Sequence, residues 1–177
     1  MNPLALIPAG IALAAKLLSS RASASSPGHA ASGRGTGLQG AQRIFPGSPQ
    51  AIELFGRAAQ EAGLPVEWAR DGGLHSILSH ESGGYVGRPN YSYGERAKNP
   101  ALWPAVWAEL REGVNSTGHS GTGLGQLQLD NVRLYYPHGV GGIGNATEEA
   151  IGMLRYIHAR YQTPSNAWVF WQAHKWY

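Results

Sequence analysis

The chain of 177 residues is 42% hydrophobic and only 14% charged, which is a globular composition with enough length to bury the core of one domain. It contains no cysteine, which excludes a small fold held together by disulfides. The net charge of +3 is mildly basic, and because the basic residues are scattered, they do not form the footprint of a nucleic-acid-binding protein.

The N-terminal part of the chain differs in composition from the rest. In the N-terminal segment 1–18, residues 3–18 are almost wholly apolar and are broken only by Lys16, and this run is shorter than the ~20 residues that cross a bilayer. We expect it to be a membrane anchor, a signal peptide or a contact with another protein of an assembly. Residues 19–43 are rich in Ser, Gly and Ala, which predicts a flexible linker. Residues 44–177 form the predicted folded domain.

Apolar residues at helical spacing predict short helices in the first half of this domain. Ser48 and Pro49 have the signature of a helix N-terminus, and the apolar pattern after them ends at Gly63. Two further helices are predicted over residues 74–81 and 104–111.

The second half of the domain is also predicted to be helical. Apolar spacing predicts a helix from Gly125 or Gln126 onward, after a glycine-rich loop. The strongest helical pattern starts at Thr147 and is broken by Pro164, and a last helix covers about residues 165–174. Strand signals are few and short, so the predicted fold class is mainly α.

One carboxyl group has an unusual setting. The helix predicted over residues 74–81 brings Glu81 to its last turn, and the two glycines after Ser82 end that helix. A half-buried carboxyl at the negative end of a helix dipole is predicted to have a raised pKa and to donate a proton near neutral pH. The alternative is an ordinary solvated glutamate at a helix end.

Three motifs follow one another in order. These are Glu81-Ser82, then Gly123-Leu124-Gly125-Gln126, and then the helical segment 153–161, which a tryptophan-rich helix follows. Over about residues 48–177 the chain resembles the lytic transglycosylases of the lysozyme-like superfamily. That family carries Glu-Ser, Gly-Leu-Met-Gln, a later tyrosine and Ala-Tyr-Asn in this order. The resemblance implies the lysozyme-like fold of a soluble lytic transglycosylase catalytic domain.

The chain is most similar to the forms of this family found in phage virion and tail proteins. In those forms an Arg-Tyr-x-Thr/Ser-Pro turn and a later Trp-Tyr pair recur, as they do here. Two positions depart from the family pattern. Gly125 stands where the family often has Met, and Trp171-Gln172 stands at the Tyr-Asn of the last motif.

The resemblance implies that Glu81 is the catalytic acid in the cleavage of peptidoglycan between N-acetylmuramic acid and N-acetylglucosamine. Glu81 would protonate the glycosidic oxygen and then act as a base on the 6-hydroxyl of the sugar, which closes a 1,6-anhydro ring without water. The expected substrate-binding residues are Gln126, Ser82, Tyr156, Gln172, Trp171 and Tyr93. Their alternative roles are helix capping for Gln126 and Ser82 and core packing for the aromatic residues.

A hydrolase of the common type needs a second carboxyl group beside the bond. Asp130 and Glu95 are the candidates, and each has the setting of a surface acid. The mechanism with a single acid, in which the substrate supplies its own nucleophile, is therefore favoured. A muramidase that uses water and an inactive wall-binding or structural virion protein are the two alternatives.

No metal ion or other cofactor is predicted. His75 and His80 are about 500° apart on a helix and do not share a face. The expected partners are peptidoglycan glycan strands and, through residues 1–18, a membrane or other virion proteins, whereas nucleic acid is not expected. These expectations place the protein in a virion or in the cell envelope.

Overall fold

The computed structural model describes residues 42–177, of which 63% are helical. Within this part of the chain no residue belongs to a sheet strand, and pairing is limited to isolated bridges such as that between Arg43 and Tyr85. The predicted mainly α fold class is confirmed at this level. No helix of residues 42–177 has the length and apolar character needed to span a membrane. The expectations for residues 1–18 and for most of the linker lie outside the described residues.

The helices of the described domain follow one another without an intervening sheet. Its α-helices are α1 (Pro49–Ala62), α2 (Gly72–Glu81), α3 (Glu95–Lys98), α4 (Trp103–Arg111), α5 (Leu129–Tyr135), α6 (Ala146–Tyr161) and α7 (Pro164–His174). Its 3-10 helices are Val66–Arg70, Tyr91–Tyr93, Pro100–Leu102 and Gly139–Gly142.

Helix α1 shows how local sequence sets these boundaries. The hydroxyl of Ser48 accepts a hydrogen bond from the amide of Ala51 at 3.1 Å, which caps the helix, and Pro49 occupies the first turn. Gly63 ends the helix in the left-handed conformation, with φ of 68°. The helix predicted from these residues is confirmed.

The hydrophobic core lies along α6, which packs against α1, α5 and α7. Its fully buried apolar residues are Ala150, Ile151, Met153, Leu154 and Ile157. Phe55 of α1 and Leu78 of α2 are also fully buried in this core. Burial of each large side chain contributes roughly 1.5–3 kcal/mol, so the core holds the shorter helices in place.

Helices α2 and α7 pack closely because Gly73 has no side chain. A Cβ atom at this position would lie 2.9 Å from both the carbonyl oxygen of Pro164 and the Cβ of Trp168. Asp71 connects the same two helices, since it accepts a hydrogen bond from the amide of Gly73 at 2.7 Å and another from the hydroxyl of Ser165 at 2.7 Å. The pairing holds the last turn of α2 beside α7.

The helix predicted from Gly125 or Gln126 begins instead at Leu129, so its predicted start is wrong. Thr122 and Leu127 pair in a tight antiparallel bridge at this place. Gln126 between them has φ of 49°, a left-handed conformation that a continuing α-helix does not contain. The segment is therefore a turn that directs its side chains toward a neighbouring loop.

Residues 42 and 43, which belong to the predicted linker, take part in the packing of the described domain. The carbonyl of Gln42 accepts a hydrogen bond from the amide of Val86 at 3.0 Å, and the Nε of Arg43 donates to the carbonyl of Gly83 at 2.9 Å. These two residues of the predicted linker thus pack against the loop that follows α2.

Candidate functional site

A cleft of about 360 Å³ opens beside the last turn of α2. Glu81 lies in its wall and supplies the one side-chain carboxyl group among the residues that line it. Four carboxamides share this lining, those of Asn90, Gln126, Gln128 and Asn131. The aromatic residues of the wall are Tyr156, Trp176 and Tyr177. The cleft therefore combines one acidic side chain and one basic side chain, that of Arg160, with neutral hydrogen-bonding groups and ring faces.

Glu81 is the C-terminal residue of α2, as predicted, and its side chain accepts a hydrogen bond from Trp171 of α7. The indole Nε1 of Trp171 donates a hydrogen bond to its Oε1 at 2.8 Å. Burial raises the pKa of Glu81, and the N–H of Trp171 lowers it by a smaller amount. The net direction is the one predicted from the helix-end position, and it favours a carboxyl that keeps its proton closer to neutral pH.

The orientation of Trp171 is fixed by its neighbours. Its ring centroid lies 4.1 Å from that of His80, which precedes Glu81 on α2, and 5.2 Å from that of Trp168 on α7. The ammonium group of Lys175 lies 5.2 Å from the same ring. These contacts leave the indole little rotational freedom, so its N–H stays directed at Glu81.

The side chain of Gln126 connects two loops at the cleft. Its Nε2 donates to the carbonyl of Arg88 at 2.7 Å and to that of Gly123 at 3.2 Å. Its Oε1 accepts a long hydrogen bond of 3.5 Å from the side-chain Nδ2 of Asn90. These bonds account for the left-handed backbone of Gln126, and they exclude the role of a helix cap. The second lone pair of Oε1 remains available to a ligand in the cleft.

Glu149 does not line the cleft, but it is a buried residue that holds the loops around it, and the sequence did not single it out. Its Oε2 accepts from the amides of Gly87 and Leu124, each at 3.0 Å, and its Oε1 accepts from the amide of Gly144 at 2.8 Å. Burial raises the pKa of Glu149 to about 7, against the lowering effect of these three donors. The side chain thereby fixes the loop after α2, the turn that carries Gln126 and the turn before α6.

Tyr177 completes the wall of the cleft beside Gly125. Its hydroxyl donates to the carbonyl of Gly125 at 2.9 Å, and its ring packs edge-on against Tyr156. A Cβ atom on Gly125 would lie 2.5 Å from that hydroxyl and 3.0 Å from the Cγ of Met153, so only glycine leaves the room that Tyr177 fills. Burial, with Glu81 as the next cause, raises the pKa of Tyr177 well above its usual range.

The predicted site residues divide into two groups in the structure. Glu81, Gln126 and Tyr156 line the cleft, and Trp171 contacts Glu81 from α7. Ser82, Tyr93 and Gln172 are not among the lining residues. The Trp-Tyr pair near residue 177 was the one sequence signal for Tyr177. No local pattern marked Glu149, because an acid in the first turn of a helix is usually solvated.

The three residues outside the cleft have identifiable environments. Ser82 is completely buried, and its hydroxyl accepts from the amide of Gly84 at 3.1 Å, which helps to end α2. Tyr93 packs in the core with 5% of its surface exposed. Gln172 is exposed on α7, since it is turned by about 100° from Trp171, which faces Glu81.

The two candidate second acids lie at the surface. The side chain of Asp130 is 95% exposed and pairs with Arg133 at 2.9 Å, and that of Glu95 is 84% exposed and pairs with Lys98 at 2.7 Å. Neither lines the cleft. Residues 42–177 contain no group of three His, Asp or Glu side chains placed to hold a metal ion.

Comparison of the chain with protein-family models, with curated proteins and with solved structures finds no match.

Proposed function

We propose that this chain is a peptidoglycan lytic transglycosylase with a lysozyme-like domain. It would cleave the β-1,4 bond between N-acetylmuramic acid and N-acetylglucosamine and leave a 1,6-anhydro end. The observation that carries the proposal is Glu81, the one side-chain carboxyl group in the cleft lining, with a pKa raised by burial and a hydrogen bond from Trp171 to its Oε1.

The proposed chemistry uses Glu81 twice. Its carboxyl protonates the glycosidic oxygen as the bond to the anomeric carbon of N-acetylmuramic acid breaks, and the N-acetylglucosamine leaves as an alcohol. The carboxylate that results accepts the hydrogen bond from Trp171, which stabilises its charge. It then takes the proton of the 6-hydroxyl, whose oxygen bonds to the anomeric carbon and closes the anhydro ring. Glu81 ends in its starting protonated form.

The composition of the wall supports a glycan as the substrate. The N-acetyl groups of both sugars are amides, and carboxamides such as those of Asn131 and Gln126 can donate to and accept from them. Tyr156 and Trp176 add ring surfaces on which the apolar faces of sugars can stack.

The lone carboxyl favours the transglycosylase over a muramidase. A hydrolase of the common type holds two carboxyl groups about 5–9.5 Å apart across the bond. The exposed positions of Asp130 and Glu95 outside the cleft lining offer no such partner to Glu81. A mechanism in which the sugar provides the nucleophile needs no second acid.

Digestion of purified peptidoglycan tests the proposal. The full-length chain, Glu81→Gln and the control Asp130→Asn are each incubated with the polymer, and the released muropeptides are weighed by mass spectrometry. Anhydro products from the wild type and the control, absent from Glu81→Gln, are the expected result. Hydrated reducing ends would point to a muramidase. An absence of products from the folded wild type would point to an inactive wall-binding or structural protein.

The proposed setting is the bacterial envelope, which the enzyme would reach as part of a phage particle. Residues 1–18 would keep it near the wall by contact with a membrane or with other virion proteins. Deletion of residues 1–18, followed by fractionation of membranes and particles, tests this: the shortened chain should lose the association and keep its activity on isolated peptidoglycan.

A further inference from the structure

Arg160 is the one basic residue in the lining of the cleft. It lies on α6 one turn after Tyr156, so the two side chains share a face of the helix. The residue is exposed, and its guanidinium group therefore meets solvent at the edge of the cleft.

Aromatic rings hold this guanidinium in place. Its Cζ lies 5.3 Å from the ring centroid of Trp176, 5.7 Å from that of Tyr161 and 6.0 Å from that of Tyr156. Within residues 42–177 no carboxylate forms an ion pair with Arg160, whereas Arg57, for example, pairs with Glu53 at 2.7 Å. The hydroxyls of Tyr156 and Tyr161 are within reach of some of its N–H groups. A guanidinium has five N–H donors, so those directed away from the two tyrosines remain available to a ligand.

The chemistry of this group selects its ligand. Guanidinium has five N–H donors and no acceptor, and its planar fork matches a carboxylate through two parallel hydrogen bonds. The carboxamides in the remainder of the cleft are neutral and discriminate little by charge. Arg160 is therefore the feature of the lining that can distinguish an anionic glycan from a neutral one.

We propose that Arg160 forms a subsite for a carboxylate carried by the glycan. This inference rests on the proposed function, because N-acetylmuramic acid is the sugar that brings such a group into the cleft. The carboxylate can be the free lactyl group of an unsubstituted sugar or a carboxylate of the attached peptide. Glycans of N-acetylglucosamine alone lack both, so the subsite would favour muramyl glycans over chitin-type chains.

Binding of small sugars tests the subsite without any need for cleavage. Three probes are titrated into the 15N-labelled full-length chain and followed by NMR: N-acetylglucosamine, N-acetylmuramic acid and muramyl dipeptide. We expect an acidic probe to bind about tenfold more tightly than the neutral one, in line with a charge-assisted hydrogen bond. The preferred acid identifies the source of the carboxylate.

Variants assign this preference to Arg160. Arg160→Gln should bind all three probes with the affinity of the neutral sugar, and Arg160→Lys should keep part of the preference because it retains the charge without the fork. Arg57→Gln is the control, because it removes an exposed arginine of α1 that does not line the cleft. This variant should bind the three probes as the wild type does. Amide spectra that match the wild type outside the cleft show that each variant is folded.

Probe binding tests the Arg160 subsite, and peptidoglycan cleavage tests the transglycosylase activity, so the two proposals can fail independently. A wild type without an acidic preference, an Arg160→Gln variant that keeps the preference, or a chain that binds none of the probes would each overturn the subsite. Anhydro products from peptidoglycan alongside any of those results would leave the transglycosylase proposal standing. A clear preference in a chain that cleaves no peptidoglycan would support the subsite and overturn only the reaction.

Discussion

The Nε1 of Trp171 and the Oε1 of Glu81 lie 2.8 Å apart, although 90 residues separate them in the chain. The indole N–H stabilises the charged carboxylate, whereas burial stabilises the neutral acid. The balance between these two effects sets the pH range over which Glu81 holds a proton.

Replacement of Trp171 by Phe should raise the pKa of Glu81 further. The variant loses the donor that lowers the pKa and keeps most of the ring that buries the carboxyl. NMR titration of the protein labelled with 13C-glutamate measures the pKa of Glu81 directly. In a cleavage assay the alkaline limb of the rate profile should move to higher pH. The maximal rate should fall by about 10- to 100-fold, because a hydrogen bond to a charged group is worth roughly 1.5–3 kcal/mol.

Trp168→Phe is the matched control for this prediction. Trp168 stacks on Trp171 on the same helix but makes no hydrogen bond to Glu81. Its replacement should leave the titration of Glu81 close to that of the wild type. A downward change of the Glu81 pKa in Trp171→Phe would contradict the role given to the indole.

Gly125→Ala should destabilise the domain by about 2 kcal/mol, which is typical of an overpacked site. The new methyl group would meet the hydroxyl of Tyr177 at 2.5 Å. In a Tyr177→Phe background the same change should cost less, because the clashing oxygen is absent and only the closer contact with Met153, at 3.0 Å, remains. Urea denaturation of the four chains gives the coupling between the two positions.

Gly72→Ala is the control for the Gly125→Ala substitution. A Cβ atom at Gly72 meets nothing within 4 Å, and the residue lies in the first turn of α2. This change should be neutral or slightly stabilising. Additive effects of Gly125→Ala and Tyr177→Phe would show that Tyr177 is not what makes glycine necessary at position 125.

Of the contact between Glu81 and Trp171, only the position of Glu81 at a helix end could be predicted from the sequence. Glu81 at the end of α2 follows from an apolar pattern and the glycines after it, which act over a few residues. The bond from Trp171 could not be predicted, since it depends on how α7 packs against α2. The start of the helix after Gln126 was predicted wrongly because side-chain bonds to Arg88 and Gly123 override the helical spacing.

The burial of Glu149 also could not be predicted from the sequence. Its sequence position predicts a solvated acid that stabilises a helix N-terminus, and in the structure it is fully buried under three loops. Burial of this kind is set by the packing of segments distant in sequence. Gln172 illustrates the reverse case, because a motif position suggested a site residue and the rotation of α7 places it in solvent.

Glu149 should make the domain less stable as the pH rises. Burial raises the pKa of Glu149 from 4.5 to about 7, so between these values the folded state binds the proton more tightly than the unfolded state. The stabilisation is complete below about pH 4.5 and is lost as the pH rises through about 7, by on the order of 3 kcal/mol. Urea denaturation at a series of pH values measures the loss.

Glu149→Gln should flatten this dependence on pH. The variant should also be less stable at pH 5 by about 1–3 kcal/mol, because its amide group presents a donor to one of the three backbone donors. Glu53→Gln, which changes an exposed acid of α1, should retain the wild-type dependence. A Glu149→Gln variant with the full wild-type pH dependence would assign that dependence to other groups.

Asp71→Ala should cost about 2 kcal/mol of stability, because it removes both the cap of α2 and the bond to Ser165. Ser48→Ala removes only the cap of α1 and should cost about 1 kcal/mol. At a temperature where both variants are folded, cleavage of peptidoglycan should fall in Asp71→Ala alone, since α7 carries Trp171. Equal losses of activity would argue against a role for the α2–α7 pairing.

The packing of α2 against α7 also determines when, during folding, the carboxyl group of Glu81 acquires its raised pKa. The loop between Glu81 and Trp171 contains most of the domain, and closing so long a loop has an entropic cost that the intervening core must offset. In a chain whose α7 has not yet docked, the carboxyl of Glu81 is exposed to water and has an ordinary proton affinity. If the proposed function holds, the polypeptide would not act on glycosidic bonds until α7 has docked against α2.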